Sequence, residues 1–212
     1  MAAARNNSSI LTYTALIFMI FLQPCLTAAP AAADQGPLQV IQSGTDRALD
    51  IIHSSKSGKA PSIRQRRAEI LSIVDEYFDF SEMAKRALGR PWKDQSPDKQ
   101  KEFVSLFKQL LFNTYVDRVE TYTGSNEKVV YDVQEVKGDY AFVKTRIINY
   151  QDTDVAVDYR LKEEKGNWKV YDVIVEGVSL VSNYRSQFTS ILANESFDAL
   201  LVKLRQKTTE WN

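Results

Sequence analysis

The 212-residue chain has one cysteine, one histidine and no excess of either charge, with 27 basic residues against 27 acidic ones. Each shortage excludes something. A nucleic-acid binder needs a basic excess or stripe to neutralise phosphates, and this balance supplies none. A zinc site needs several Cys or His ligands, which Cys25 and His53 cannot provide. A Ser-His-Asp or Cys-His arrangement would have to use His53, which falls at the end of an expected surface helix, where a solvated imidazole is the simpler reading. Neither GxGxxG nor GxxxxGK[ST] occurs, so dinucleotide and P-loop chemistry have no foothold. No site with catalytic or metal-ligating residues emerges.

The first 33 residues differ from the rest. Arg5 precedes the 13-residue apolar run Ile10 to Leu22, followed by Gln23-Pro24 and an Ala-rich patch. That is the plan of a cleavable secretory signal, and the run is short of the ~20 residues that span a bilayer. Cleavage is expected after Ala33, with Ala31 and Ala33 as the small residues. A lipoprotein signal ending at Cys25 is the rival, although Leu22-Gln23-Pro24 lacks the small residues expected before a lipidated Cys. Cleavage at Ala33 leaves residues 34–212 without cysteine. The remaining domain must then be held by an ordinary core, and it is long enough to build one.

Residues 34–212 read as helices, then strands, then helices. The helical part covers about 38–124, the sheet about 128–177 and the closing helices about 182–207. Helices are expected from Leu38 to Ser54, Ile63 to Phe78 and Ser81 to Leu88, with a long one after Ser96-Pro97-Asp98, a strong start signal. Four strands follow: Val129–Val136, Tyr140–Tyr150, Val155–Lys162 and Trp168–Glu176. Their short turns favour an antiparallel meander. Ser182 and Ser196 are the expected caps of the last two helices.

Strict alternation sorts the strand faces. Val129, Tyr131, Val133, Val143, Ile147, Val157, Tyr159, Tyr171, Val173 and Val175 fall on apolar faces. Asp158, Asp172 and Glu176 fall opposite, with Lys144, Arg146 and Arg160. Cross-strand ion pairing on an outer face accounts for those carboxylates without catalysis. The RQRR run, Arg64 to Arg67, reads as a solvated helix face or a docking surface for an acidic partner or a lipid headgroup.

Three long stretches carry a resemblance: YFDFSEMAKRALGRPW from Tyr77, SPDKQKEFVSLFKQLLFNTY from Ser96, and VDYRLKEEKGNWKVYDVIVEGVSLVSNYRSQF from Val157. Over about Val40 to Lys207 the chain resembles the MlaC family, the periplasmic phospholipid shuttles also called toluene-tolerance auxiliary proteins. The resemblance implies an α+β fold, an NTF2-like curved antiparallel sheet of about four strands wrapped by helices around an apolar cavity. It implies a periplasmic, monomeric lipid carrier with no cofactor, whose cargo is phospholipid or, in hopanoid-associated members, another lipid. The implied partners are an outer-membrane lipoprotein–porin complex and an inner-membrane ABC transporter with an MCE-domain subunit, and the implied role is maintenance of outer-membrane lipid asymmetry. An NTF2-like isomerase or dehydratase remains the alternative, and it would need an acid or base inside the cavity. The physics suits a carrier: each methylene withdrawn from water is worth ~0.8 kcal/mol, so a 16-carbon tail is worth roughly 12 kcal/mol and must be almost fully enclosed. Given that role, the sorted strand residues Tyr131, Val133, Val143, Ile147, Val157, Tyr159, Tyr171, Val173 and Val175 are expected to line the cavity. Phe107, Leu110 and Leu111 of the long helix are expected to close it.

Overall fold

A computed structural model of the chain describes residues 36–54, 62–121, 128–150 and 152–209. The expected signal segment, its cleavage site and Cys25 lie outside the described residues. The elements run α1 (Pro37–Ser54), α2 (Ile63–Tyr77), α3 (Phe80–Leu88), a 3-10 segment (Arg90–Asp94) and α4 (Pro97–Thr121). Strands β1 (Lys128–Lys137), β2 (Tyr140–Tyr150), β3 (Thr153–Glu164), β4 (Asn167–Val175) and β5 (Val178–Ser179) follow, then α5 (Leu180–Leu192) and α6 (Phe197–Thr209). The strands pair in chain order as an antiparallel meander. The α+β expectation therefore holds, with five strands where about four were expected.

Local chemistry sets the helix starts. The Ser62 hydroxyl accepts from Gln65 N–H while the Gln65 side chain accepts from Ser62 N–H, a reciprocal cap. Ser96 and Ser196 cap α4 and α6 as expected, each accepting from the backbone N–H three residues on. Two caps differ from the sequence reading. α3 begins at Asp79, whose carboxylate accepts from Glu82 N–H at 2.9 Å, rather than at Ser81. α5 begins at Ser179, whose hydroxyl accepts from Ser182 N–H at 3.0 Å, so Ser182 belongs to the first turn of the helix and is not its cap.

The missing fifth strand lies in the same stretch. Glu176 (φ 49°) and Gly177 (φ 79°) both sit in the left-handed region. Two consecutive positive φ values are what a two-residue hairpin turn with the right twist requires. The chain therefore doubles back into β5, placing Val178 opposite Val175 and Ser179 opposite Ile174. Glu176 tolerates its conformation because its carboxylate accepts from Ala156 N–H on β3.

Three bulges displace the face assignment. An extra residue in one strand shifts everything beyond it to the opposite face. In β1 the register slips at Asp132, so Tyr131 pairs with Thr145 but Val133 pairs with Lys144. In β2 it slips between Ile147 and Tyr150, where Asn149 takes φ 59°. In β4 it slips at Tyr171, so Val170 pairs with Leu161 and Asp172 with Arg160.

Two packed layers result. α1 covers the inner face of the sheet, where Val40 and Ile41 meet Ala141, Val143, Leu161 and Val170. A second, larger core joins α3, α4, α5 and α6 around Phe103, Phe107, Phe188 and Leu200. The Phe103 ring sits 5.4 Å from Phe188 edge-on, and Phe107 sits 5.2 Å from Tyr184 likewise. Among the described residues no helix is long and apolar enough to cross a membrane.

Candidate functional site

α1 and the sheet are in full contact at one end and part at the other. On α1, Thr45, Ala48, Leu49 and Ile52 follow at helical spacing, forming a stripe one helical turn beyond the packed Val40 and Ile41. Opposite them, Ile147, Val155, Val157 and Val175 stand at the matching ends of their strands. Between the two lies a hollow of about 810 Å³, within the ~300–1,000 Å³ typical of small-molecule sites. Tyr115 of α4 and Leu180 and Asn183 of α5 complete its wall.

No Asp, Glu, Lys, Arg, His or Cys lines this hollow among the described residues. Its ionisable groups are three phenols, those of Tyr115, Tyr150 and Tyr159. Burial pushes the Tyr159 phenol up to about 12 from 10.0. The side chain is half-buried and faces the hollow. It is neutral at physiological pH. Other polar wall groups bond within the protein: the Thr145 hydroxyl donates to the Val157 carbonyl, and Thr45 bonds the Tyr131 phenol. The interior is thus an uncharged, largely aliphatic surface. It suits hydrocarbon and offers no carboxylate, imidazole, amine or thiol as an acid–base pair.

The Tyr159 shift has a sign that can be tested. Above pH 10 the unfolded chain ionises this phenol while the folded protein keeps it protonated, so stability falls as pH rises from 10 to about 12. Chemical denaturation across that range should show a shallower fall for Tyr159→Phe than for the parent; an unchanged slope would contradict the buried phenol.

The structure places the expected lining residues in several environments. Ile147, Val157, Tyr159 and Val175 border the hollow. Val143 is fully buried in the closed end of the same layer, with Tyr131 and Val173 packed beside it. Val133 is 43% exposed, turned outward by the Asp132 bulge. Tyr171 points away from the hollow, under the Arg86 guanidinium, 4.1 Å above its ring. Phe107, Leu110 and Leu111 pack in the helical core and do not close the hollow. Among the described residues, the α4 side chain that reaches it is Tyr115.

Several wall residues escaped the sequence reading. Thr45, Ala48, Leu49 and Ile52 carry a legible signal, their helical spacing. Tyr150 does not, because the bulge at Asn149 turns it inward against alternation. Val178, Leu180 and Asn183 enter only through the hairpin turn at Glu176-Gly177.

Of the three outer-face carboxylates expected to pair, Asp172 contacts Arg160 at 2.8 Å, whereas Asp158 and Glu176 accept from the Thr145 and Ala156 backbone N–H groups. Arg146 contacts Asp132 instead, at 2.8 Å. Asp172, however, is 2% exposed and lies beneath α5, not on a solvated face. A second concavity, of about 820 Å³, lies between α3, the 3-10 segment and α5. Lys85, Arg86, Arg90, Lys93 and Arg185 surround it with Glu82 as the sole carboxylate, and it shares no lining residue with the hollow. Among the described residues no group of three or more His, Cys, Asp or Glu could hold a metal.

Comparisons with known proteins fit this geometry. The model of the MlaC protein family matches residues 42–206. The chain is 24% identical over 203 residues to the intermembrane phospholipid transport system binding protein MlaC of Haemophilus influenzae, covering 93% of each chain. It is 23% identical over 185 residues to the toluene tolerance protein ttg2D of Pseudomonas putida, covering 86% of this chain and 83% of that one. The solved structure of a phospholipid-binding protein from Ralstonia solanacearum, in complex with a phospholipid, superposes with a TM-score of 0.71 at 23% identity. That match covers 81% of this chain and 96% of the other, and it establishes a shared fold.

Proposed function

The chain belongs to the MlaC protein family, and from that premise we propose that it is a periplasmic phospholipid carrier. The observation that carries the reading is the uncharged hollow of about 810 Å³ between α1 and the open end of the sheet. Acyl tails occupy it, withdrawn from water at ~0.8 kcal/mol per methylene, while the headgroup stays near solvent. Donor and acceptor membranes offer comparable burial, so the carrier needs to lower the barrier to movement rather than bind one lipid with high selectivity. A smooth aliphatic wall meets that need.

In this reading the cleavable signal delivers the protein to the periplasm. There it exchanges lipid between an outer-membrane lipoprotein–porin complex and an inner-membrane ABC transporter bearing an MCE-domain subunit, and so maintains outer-membrane lipid asymmetry. The wall's lack of carboxylate, imidazole, amine or thiol argues against an isomerase or dehydratase in the same fold.

Native mass spectrometry of the purified protein, followed by organic extraction, tests the reading directly. Co-purifying phospholipid at about one per chain is expected. A protein that emerges empty and takes up no phospholipid from vesicles would overturn it, and a co-purifying hopanoid would replace the cargo while keeping the carrier.

A further inference from the structure

One end of the hollow is bordered by Val178 of β5 and by Leu180 and Asn183 of α5. By strand pairing alone this wall is weakly attached. β5 is two residues long and meets β4 at only two positions, Ile174 with Ser179 and Val175 with Val178. Val181 anchors the first turn of α5 in the helical core, and a single buried carboxylate supplies the polar ties. Asp172 Oδ2 accepts from Ser179 Oγ at 2.6 Å and from Arg160 Nη1 at 2.8 Å. Its Oδ1 accepts from Val181 N–H at 3.1 Å. The Ser179 hydroxyl that donates to Asp172 also caps α5. One carboxylate therefore ties β5 and the first turn of α5 to β4, with Arg160 of β3 balancing its charge.

We infer that Asp172 is the latch of the lipid compartment, a positioning residue whose bonds hold the end wall shut and set the rate at which cargo enters and leaves. This rests on the carrier reading above. The reasoning is mechanical. Acyl tails held in the hollow leave through its open side, and that opening widens only if some part of the wall yields. The β1–β4 sheet is tied by long ladders, and α1 is fixed at its first turns by the packed Val40 and Ile41. β5 with the start of α5 is the part of the wall whose strand pairing is shortest and whose side-chain hydrogen bonds converge on one group, so it is the part a single polar change loosens most. Regular alternation with Ile174 places Asp172 on the face beneath α5.

The test uses the purified protein with Ser179→Ala, which removes the bond to Asp172 together with the α5 cap, and Asp172→Asn, which removes the charge at constant size. Asp132→Asn, which breaks the exposed pair with Arg146, is the control. Three quantities are measured: transfer of a fluorescent phosphatidylethanolamine to acceptor vesicles, stopped-flow entry of the neutral apolar dye N-phenyl-1-naphthylamine, and amide hydrogen exchange. Ser179→Ala should speed both transfer and dye entry by at least about tenfold, through loss of a hydrogen bond to a charged acceptor together with the helix cap, and Asp172→Asn should speed them further. Faster amide exchange should be confined to β5 and the first turn of α5, with lipid content unchanged and the control indistinguishable from the parent. Loosened amides with transfer and dye entry within about twofold of the parent would reduce Asp172 to a structural anchor and overturn the inference, as would unchanged amides. If Asp172→Asn does not fold, Ser179→Ala decides alone. If no phospholipid is taken up yet dye entry accelerates, the carrier reading fails and the latch stands.

Discussion

Ala48→Trp is expected to empty the protein of lipid while leaving it folded. Ala48 faces the hollow from the middle of the α1 stripe. An indole at that point extends into open space, so the overpacking cost of enlarging a filled core does not arise. It takes up room that hydrocarbon would otherwise fill. Displacing about four methylenes at ~0.8 kcal/mol each removes about 3 kcal/mol of binding, more than a hundredfold in affinity. Lipid extraction per folded molecule should fall to near zero, with thermal midpoint and far-UV dichroism close to the parent. Parent-like lipid content would mean that the cargo lies somewhere other than between α1 and the sheet.

Phe107→Ala should do the reverse. Phe107 is fully buried, stacked on Phe103 with centroids 5.9 Å apart and set edge-on to Phe188 at 5.6 Å. Truncating such a ring removes its transfer energy and leaves a cavity, about 3–5 kcal/mol together. Against a total stability of about 5–15 kcal/mol that is a large fraction. Denaturant titration should show the loss, while each molecule that stays folded keeps its lipid. A variant of normal stability that loses its lipid would instead extend the compartment into the helical core, as the sequence suggested.

The contrast between these two positions explains what could be read from the sequence. Alternation in β2 and β3 correctly put Val143, Ile147, Val157 and Tyr159 on one face, since a side chain's face follows from the strand period alone. Whether such a residue is core or cavity wall depends on its distance along the strand. Val143 and Ile147 share both strand and face, yet one is sealed under α1 and the other borders the hollow. That difference comes from where α1 and the sheet diverge, a tertiary fact without a local signature. The Asp132, Asn149 and Tyr171 irregularities broke the period itself, moving Val133 and Tyr171 out and Tyr150 in. Positive φ at Asn149 is compatible with Asn but not demanded by it, so the bulge was not legible. Phe107, Leu110 and Leu111 were correctly read as one apolar face of a helix, and the expectation erred only in what that face meets. The helix starts at Ser96 and Ser196 were legible because capping is local chemistry.

α5 has a further consequence. Its first turn faces the hollow through Leu180 and Asn183, while Arg185, Thr189 and Leu192 border the basic concavity on the other side. Thirteen residues of helix make a stiff rod about 20 Å long. A rod that forms a bank of two separate basins cannot swing without widening one or narrowing the other. The Arg185 guanidinium, donating to the Arg86 carbonyl at 2.7 Å, is the tether near the rod's midpoint. The hollow and the cationic basin therefore share one stiff bank, with that arginine close to its middle.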